Sequence, residues 1–450
     1  MKIQGIAICP PPGAKDSPAV TPELLASCLA RYSRSNKGIQ SILSSIDWND
    51  PDKSVDAIFR FVDYGHASIT GMTGGIAMVI DGCSMFLAYK LFELAQLCDG
   101  QESSTRYIKL DKSNLPSALD IGVSPELTDQ WEELMELSFS IYHDVYQKLD
   151  QIAQQDISVV RIPDGATPKV VERLRKNYAL DRSRYFIPFA TRTNVAMVMT
   201  ARVWSETIKQ LDSLPLLEAK VCAEGLRQEL SKFVPRLSRH CHSDDASRFQ
   251  AKQIFDYAIK KIKTEGVATD LLGDDVWVEA DNRFASFLPE LQDYRDAFNG
   301  KVNRYSTCGT SVKRVTIRAA WNNLAIAELR DLNRHRSGYR FTPLTPVGFY
   351  LPSGVNHEQF DKLMRKKAAF IERIVLTENA PAYVYGLLLG TQVPFEHSTH
   401  LDKFIYEIEL RTGLGAHFRY AEHLSAACKE LIKKMPQLED FIEVGTAEPE

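Results

Sequence analysis

Two short stretches, QESSTRY at residues 101–107 and NRHRSGYR at residues 333–340, carry the most distinctive chemistry of this sequence. In the first, hydroxyl side chains lie between Glu102 and Arg106, and in the second two arginines flank His335. Arginine binds phosphate through parallel N–H groups, and a neighbouring hydroxyl can donate a further short hydrogen bond. The stretches therefore predict a site for a phosphorylated ligand, although a solvated basic helix end has a similar composition.

The composition is that of an ordinary globular protein. The 450 residues include 54 Lys and Arg against 58 Asp and Glu, a net charge of −4, and 44% of them are hydrophobic. These values exclude a wholly disordered chain and give no overall electrostatic reason to bind nucleic acid. The best candidate for a membrane span, residues 78–97, contains Asp81, Lys90 and Glu93, which argues against a span. The apolar run near the N-terminus is too short for a signal peptide, so we expect a cytoplasmic protein.

The sequence lacks the common metal-binding and nucleotide-binding motifs. Its eight cysteines form no CxxC pair, so we expect reduced thiols and no metal. The group His240-Cys241-His242 could hold a metal, but it lacks a second pair at suitable spacing, and a turn is the better interpretation. Neither GxGxxG nor GxxxxGK[ST] occurs, and the glycine-rich stretch 71–75 matches neither, so Rossmann and P-loop sites are not supported.

Helix-start signals and apolar spacing predict long helices with a few strands. A hydroxyl residue followed by Pro-Glu occurs at residues 21–23 and 124–126, which is typical of helix starts. Residues 207–233 have a helical pattern with a break at their proline. The β-branched and small residues at 76–85 and 305–317 predict strands or strand-to-helix passages. This mixture indicates an α+β fold rather than a regular alternation of strand and helix.

Two weak internal echoes point to a duplication. WEELMELSFSIYHDVYQKL from residue 131 resembles FDKLMRKKAAFIERIVL from residue 360, and ARVWSETIKQLDSLPLLEAKV from residue 201 resembles HLDKFIYEIELRTGLGAHFRYA from residue 400. Since any amphipathic helix can resemble another, the echoes alone leave duplication open. If two copies exist, we expect the join in the polar region 236–247.

The two arginine-containing stretches resemble the two ends of one family signature. The flavin-dependent thymidylate synthase family carries RHRxxSxNExSxRY as a continuous motif. Here ExSxRY is intact at residues 102–107, where LAQ at 94–96 replaces RHR. RHR is intact at 334–336, and Thr, Leu, Pro and Val at 342, 344, 346 and 347 replace ExSxRY. The resemblance implies two tandem copies of that family's domain, at residues 1–235 and 236–450, each with long helices packed against a small, mainly antiparallel sheet.

The resemblance also assigns roles to single residues. Positions that bind the nucleotide in the family match Glu102, Ser104, Arg106 and Arg184. Positions that bind the flavin match a second set: Ser33, His66, Arg202, Arg334, His335 and Arg336. The family's Leu-Arg pair matches Leu410-Arg411 of the second copy, whereas the first copy has Gln210-Leu211 there. Arg411 is therefore the candidate catalytic residue that stabilises enolate-like charge beside a pyrimidine carbonyl.

The losses alternate between the copies. The first keeps ExSxRY, His66 and Arg184, and the second keeps RHR and Arg411. The family is a homotetramer with sites at subunit junctions, so the resemblance implies a homodimer of two-copy chains that imitates the tetramer. One half would supply the nucleotide's cradle and the other more of the flavin's, at a composite site.

The implied reaction is the flavin-dependent C5 methylation of deoxyuridine monophosphate to thymidylate. It uses FAD, with methylenetetrahydrofolate and NADPH as co-substrates, and requires neither an activated cysteine nor a metal. Two alternatives remain open. A flavoenzyme could modify C5 of another pyrimidine nucleotide, because the SxN part of the signature is lost. A homologue could also bind flavin or nucleotide without catalysis.

Overall fold

The computed structural model of the chain describes residues 1–6, 22–59, 75–95, 97–106, 108–162, 164–233, 238–273, 275–413 and 415–445. The strands within these ranges are β1 (Lys2–Ile6), β2 (Ile76–Ser84), β3 (Asp99–Glu102), β4 (Arg192–Met199), β5 (Val276–Asp281), β6 (Thr316–Ala325), β7 (Tyr339–Phe341), β8 (Gly348–Phe349) and β9 (Thr391–His400). The helices there are α1 (Pro22–Tyr32), α2 (Ile39–Leu43), α3 (Asp52–Phe59), α4 (Met85–Leu94), α5 (Thr128–Gln155), α6 (Pro168–Ser183), α7 (Ala201–Ser213), α8 (Leu217–Phe233), α9 (Asp245–Glu265), α10 (Tyr294–Ala297), α11 (Thr310–Lys313), α12 (Ile326–Leu332), α13 (His357–Ile374), α14 (Leu401–Arg411) and α15 (Phe418–Lys434).

The chain divides into two compact units that interleave along the sequence. Unit 1 contains residues 1–151, 176–266 and 354–388. Unit 2 contains residues 152–175, 267–353 and 389–450. Each unit contains segments from both halves of the sequence, so the units differ from the two expected domains. The boundary between those domains, after residue 235, remains a proposal. None of the helices in the described ranges combines the length and apolar composition that a membrane span needs.

Each unit contains one antiparallel sheet, and the two sheets have the same plan. In unit 1 the strand order is β1-β2-β4-β3, and in unit 2 it is β5-β6-β9-β7, with β8 pairing to the first residues of β9. Each central pair contains a register shift, between Asp81 and Cys83 in β2 and between Trp321 and Leu324 in β6. A helix follows each central strand directly. In unit 1, α4 follows β2 and α7 follows β4, and in unit 2, α12 follows β6 and α14 follows β9.

These shared features make positions in the two halves equivalent. Helix α7 begins at residue 201 and α14 at residue 401, so a residue of β4 or α7 corresponds to the one numbered 200 higher in β9 or α14. The strand pairs Gly100–Met197 and Arg340–His397 are equivalent in the same way. The second sequence echo, from residues 201 and 400, therefore joins equivalent helices. The predicted α+β class is confirmed, and the repeated order of elements agrees with two tandem copies of one domain.

A helix of the second half packs within unit 1. In α13, Lys366 Nζ lies 2.5 Å from Glu133 Oε2 of α5, and Arg373 Nη1 donates to Gln130 Oε1 at 2.8 Å. The Trp131 Nε1–H of α5 donates to the carbonyl oxygen of Tyr385 at 2.9 Å. The first echo thus joins two helices, α5 and α13, that lie in the same unit.

Equivalent segments of the two halves also meet in unit 1. Phe189 N–H donates to the Leu387 carbonyl oxygen at 2.9 Å, and Pro188 forms a β-bridge with Leu388. Beside this contact, the ring of Tyr385 packs edge-on against that of Phe86, with centroids 5.6 Å apart. These residues are fully buried apolar side chains, so the contact lies in the core of unit 1.

A buried carboxylate fixes the elements around this core. Glu218 Oε1 accepts from Ser84 N–H at 2.7 Å, and Oε2 accepts from the Ser84 hydroxyl at 2.7 Å and the Tyr385 hydroxyl at 2.8 Å. Burial raises the pKa of Glu218, and these donors lower it in part. Ser84 Oγ also accepts from Leu87 N–H and so caps α4. Glu218 therefore connects α8, the start of α4 and the 3-10 turn that contains Tyr385.

The sequence-based elements are largely confirmed. Helix α1 begins at Pro22, the predicted strand at 76–85 is β2, and the helical stretch with a proline break is the end of α7 followed by α8. After Ser124, a 3-10 turn precedes α5. The strand predicted at 305–317 is misplaced, because that segment contains turns and α11, and β6 begins only at Thr316. Of the β-branched residues that suggested a strand, Thr310 and Val312 lie in α11, where Val312 is buried.

Replacing Tyr385 with Phe tests the Glu218 contact. We expect the free energy of unfolding to fall by about 1.5–3 kcal/mol, the range for a hydrogen bond to a charged group. Urea unfolding followed by circular dichroism measures the change. Tyr257→Phe is the control, because that tyrosine is 55% exposed on α9. Equal stability of Tyr385→Phe and the parent would contradict the role of this bond.

Candidate functional site

The first predicted group lies in unit 1, where the end of α1 meets the loop after β3. Ser104 N–H donates to the Ser33 carbonyl oxygen at 3.0 Å, and the Ser33 hydroxyl donates to Ala30 O at 2.8 Å. On the other side of the loop, Ser103 N–H donates to the carbonyl oxygen of Asn194 in β4 at 3.0 Å. Ser33 and Ser104, predicted from separate motifs, are therefore adjacent.

A bidentate ion pair attaches this loop to α6. Arg106 Nε and Nη2 each donate to an oxygen of Asp181 at 2.7 Å, and the two side chains are only 18% and 8% exposed. Asp181 lies one helical turn before Arg184, which is 2% exposed. Arg106 N–H donates to Ser104 Oγ at 3.2 Å, which leaves the Ser104 hydroxyl hydrogen for another acceptor. The structure thus groups Ser104 and Arg106, with Asp181 as a member that the motif search missed; Arg184 follows Asp181 by three residues in the chain.

The other first-half residues have separate positions. Glu102 is buried at the end of β3, two residues before Ser104. Arg202 is exposed in the first turn of α7, and no hydrogen bond between described residues of unit 1 joins it to the group around Arg106. His66 and Tyr107 lie outside the described residues.

The second predicted group lies in unit 2, in the segment that connects α12 to β7. Arg411 Nε, at the end of α14, donates to His335 Nε2 at 2.7 Å, and Arg411 Nη2 donates to the Asp331 carbonyl oxygen at 3.1 Å. The buried Arg340 donates to the carbonyl oxygen of Asn333. Arg334 and Arg336 are partly buried on either side of His335. The structure therefore brings RHR and Arg411 together, although they lie 75 residues or more apart in the sequence.

His335 is held in its neutral form. An arginine can only donate, so His335 Nε2 must be the accepting nitrogen and Nδ1 carries the proton. Burial lowers the pKa of His335 to about 3; nearby Glu407 opposes this change, and Arg411, His397 and Arg340 add to it. A neutral imidazole among guanidinium groups marks positive local potential, which suits a polyanionic ligand.

A buried carboxylate–imidazole pair that sequence reasoning missed lies beside this segment. His397 Nδ1 of β9 is 3.1 Å from Glu407 Oε2 of α14, and both side chains are 1% exposed. His397 Nε2 is 3.3 Å from the carbonyl oxygen of Ser337. Burial raises the pKa of Glu407, but His335, His397 and Arg411 lower it to about 2. The available signal was the spacing of Glu407 and Arg411, which places both on one face of α14.

Equivalent positions in the two halves differ in polarity at both groups. Leu211 stands where the second half has Arg411, and its side chain is fully buried. Because Gly100 of β3 and Arg340 of β7 are equivalent, Thr342 is equivalent to Glu102. Leu344 and Pro346 are then equivalent to Ser104 and Arg106. The signature is therefore divided between the halves in the structure as it is in the sequence.

The donor set around His335 suits the phosphate oxygens of a ligand better than a metal ion. Arg334 and Arg336 offer planar N–H donors, and Arg411 and Arg340 add to the positive potential. Within the described residues, no group of three or more His, Cys, Asp and Glu side chains could hold a metal ion. In the group His240-Cys241-His242, Cys241 is buried, and burial raises the pKa of its thiol, while His240 and His242 are exposed. These three side chains are therefore not such a group.

One protein family matches the first half of the chain. The family model described as thymidylate synthase complementing protein matches residues 19–236, about half of the chain, and includes all of the group around Arg106. Residues 19–236 therefore form a domain of this family, the flavin-dependent thymidylate synthases. The second half repeats the order of strands and helices of the first.

One relative matches nearly the whole chain, and two others match about half of it. The chain is 24% identical to UPF0159 protein Ta1429 from Thermoplasma acidophilum, over 92% of this chain and 93% of that protein. It is 26% identical to a UPF0159 protein from Chlamydia muridarum, over 50% of this chain and 47% of the relative, and 26% identical to one from Chlamydia pneumoniae, over 48% and 44%. The archaeal match indicates that both halves occur together in another protein.

The low pKa of His335 predicts a pH dependence of stability. The unfolded histidine has an ordinary pKa near ~6.5, so between about pH 3 and 6.5 the unfolded chain binds a proton that the folded chain does not. This group should therefore destabilise the fold by about 1.5 kcal/mol when the pH falls from 6.5 to 5.

His335→Gln keeps an acceptor for Arg411 and removes the titration. We expect the loss of unfolding free energy between pH 6.5 and 5, measured by urea unfolding, to be smaller in this variant than in the parent. His357→Gln, at an exposed histidine in the first turn of α13, should keep the parent's slope. Identical slopes for His335→Gln and the parent would contradict a depressed pKa.

Proposed function

We propose that the protein catalyses the FAD-dependent C5 methylation of deoxyuridine monophosphate to thymidylate, at a composite site that uses residues of both halves. One observation carries the proposal: the parts of the signature that each half retains are held in buried hydrogen-bonded groups, around Arg106 and around Arg411. The equivalent positions, Pro346 and Leu211, cannot make these bonds. Random decay of both copies would not favour this division.

The group in unit 1 is the proposed nucleotide site. Arg106 and Arg184 would bind the phosphate, because guanidinium N–H groups match phosphate oxygens. Asp181 accepts from Nε and Nη2 of Arg106 and so fixes the plane of the guanidinium. The direction of Nη1 is fixed with it, because all three nitrogens lie in that plane. The Ser104 hydroxyl, which accepts from Arg106 N–H, can donate to the ligand. Glu102 would orient Ser104 and the loop from the end of β3.

The group in unit 2 is the proposed flavin site. Arg334, His335 and Arg336 would hold FAD, with Ser33, His66 and Arg202 as contributors from the first half. Bound FAD, when reduced, supplies a hydride for the methylation. Arg411 would stabilise the negative charge that develops on the pyrimidine carbonyl. Its Nη1 makes no hydrogen bond to a described residue, whereas His335 and Asp331 fix the plane of the guanidinium.

The wider assignment follows from the family. We propose methylenetetrahydrofolate as the carbon donor, NADPH as the reductant, a homodimer as the assembly and the cytoplasm as the location. We also propose that the repeated domains comprise residues 1–235 and 236–450. The equivalence of α7 and α14 supports two domains on either side of that boundary.

Turnover of labelled nucleotide tests the function. Purified protein with FAD, NADPH and methylenetetrahydrofolate should release tritium from [5-³H]deoxyuridine monophosphate and form thymidylate. Arg411→Ala should lower this rate at least 100-fold, the scale for the loss of one donor to a developing oxyanion. Arg411→Lys should recover only part of it. Tight binding of flavin and nucleotide without tritium release would instead favour the non-catalytic homologue.

Ligand binding tests the division between the halves. Arg106→Ala alone would leave the buried Asp181 carboxylate unpaired, so the better variant is Arg106→Ala with Asp181→Ala. We expect its affinity for deoxyuridine monophosphate to fall about 10- to 100-fold, with flavin binding nearly unchanged. Arg334→Ala should show the reverse. Isothermal titration of both ligands into both variants measures this, and equal losses for both ligands would refute the division of labour.

A further inference from the structure

Three carbonyl groups of the segment 331–337 each face a basic side chain from another part of unit 2. Arg411 donates to the carbonyl oxygen of Asp331, Arg340 to that of Asn333, and His397 Nε2 lies 3.3 Å from that of Ser337. The first two carbonyls precede RHR and the third follows it. The backbone that presents Arg334, His335 and Arg336 is thus held on both sides.

The contact at Ser337 depends on a pair that is costly to bury. A carboxylate and an imidazole that are both 1% exposed lose most of their hydration, and their attraction repays this only in good geometry. Both ring nitrogens of His397 face oxygen acceptors, Glu407 Oε2 and Ser337 O. These two contacts, one at each nitrogen, set the orientation of the ring.

The fold itself does not need this pair. In the first half, the equivalent of His397 is Met197 and the equivalent of Glu407 is Thr207, and both are buried in the same kind of strand–helix contact. The same architecture therefore packs with a methionine and a threonine there. The second half has this carboxylate–imidazole pair beside RHR, which indicates a role in presenting RHR rather than in building the sheet.

The segment also lies too close to β9 to move independently of it. Gly338 has φ +107°, and a Cβ at this position would overlap the carbonyl oxygen of Ser398, the residue after His397. Thr399 Oγ1 is 3.5 Å from Ser337 Oγ. A displacement of His397 would therefore be transmitted directly to the residues that follow Arg336.

We propose that His397 and Glu407 are positioning residues for RHR. Glu407 holds His397, and His397 holds the Ser337 carbonyl, so that Arg334, His335 and Arg336 start from a fixed backbone. The expected consequence for flavin rests on the proposed function, whereas the rigidity of the segment does not. The pair should therefore affect local exchange of the segment as well as cofactor affinity.

Two variants of His397 separate its contacts. His397→Asn keeps a donor near the Nδ1 position, facing Glu407, and loses the reach to Ser337. We expect amide hydrogen exchange in residues 334–340, measured by mass spectrometry, to accelerate at least tenfold in this variant. The Kd for FAD, measured by flavin fluorescence, should rise at least tenfold. The double variant His397→Gln with Glu407→Gln keeps a donor near the Nε2 position and contains no buried charge, so both values should stay within threefold of the parent's.

His400→Gln is the matched control on the same strand, because His400 is exposed at the end of β9. It should match the parent in both measurements. Unchanged exchange at 334–340 in folded His397→Asn would overturn the proposal, as would faster exchange spread evenly over unit 2, which would indicate a role in stability alone. If His397→Asn does not fold, fast exchange at 334–340 in the double variant would overturn it and parent-like exchange would support it. A parent protein that binds no FAD would refute the proposed function, while the exchange result would still test the positioning.

Discussion

The carboxylate of Glu218 is the interaction on which the rest of unit 1 depends. It accepts three hydrogen bonds, two from Ser84 and one from Tyr385, and so connects the start of α4, helix α8 and a turn of the second half. Since a buried carboxylate without donors would cost several kcal/mol, these elements must keep their relative positions for Glu218 to stay satisfied. The adjacent pairing of Pro188 with Leu388 then lies within the same core.

The two halves use one architecture with different polar residues at equivalent positions. Met197, Thr207 and Leu211 form part of an apolar strand–helix contact in the first half, whereas His397, Glu407 and Arg411 stand there in the second. In the loops after β3 and β7 the first half has the polar residues. Ser104 and Arg106 stand there, and the equivalent residues of the second half are Leu344 and Pro346. A duplicated domain can thus keep its packing while each copy retains a different part of the ligand-binding chemistry.

In both units an arginine is oriented by a fixed partner. Arg106 is paired with the carboxylate of Asp181 through two bonds, and Arg411 is bonded to a neutral imidazole and a backbone carbonyl. A guanidinium that is held in one plane loses less entropy when it binds an oxyanion than a freely rotating side chain does. The contrast with the exposed Arg202 shows that a motif match by itself does not predict this degree of order.

The sequence by itself determined the α+β class, most long helices and the family, because apolar spacing, helix-start residues and the RHR and ExSxRY motifs are local patterns. The resemblance to the family also matched Leu211 to the position of Arg411. The tertiary structure decided which distant residues meet: Asp181 with Arg106, Arg411 with His335, and Glu407 with His397 and the Ser337 carbonyl. It also corrected the strand expected at 305–317, where Thr310–Lys313 form a short helix and β6 begins only at Thr316. Such contacts depend on strand register and helix packing across many residues, and no local pattern of side chains encodes them.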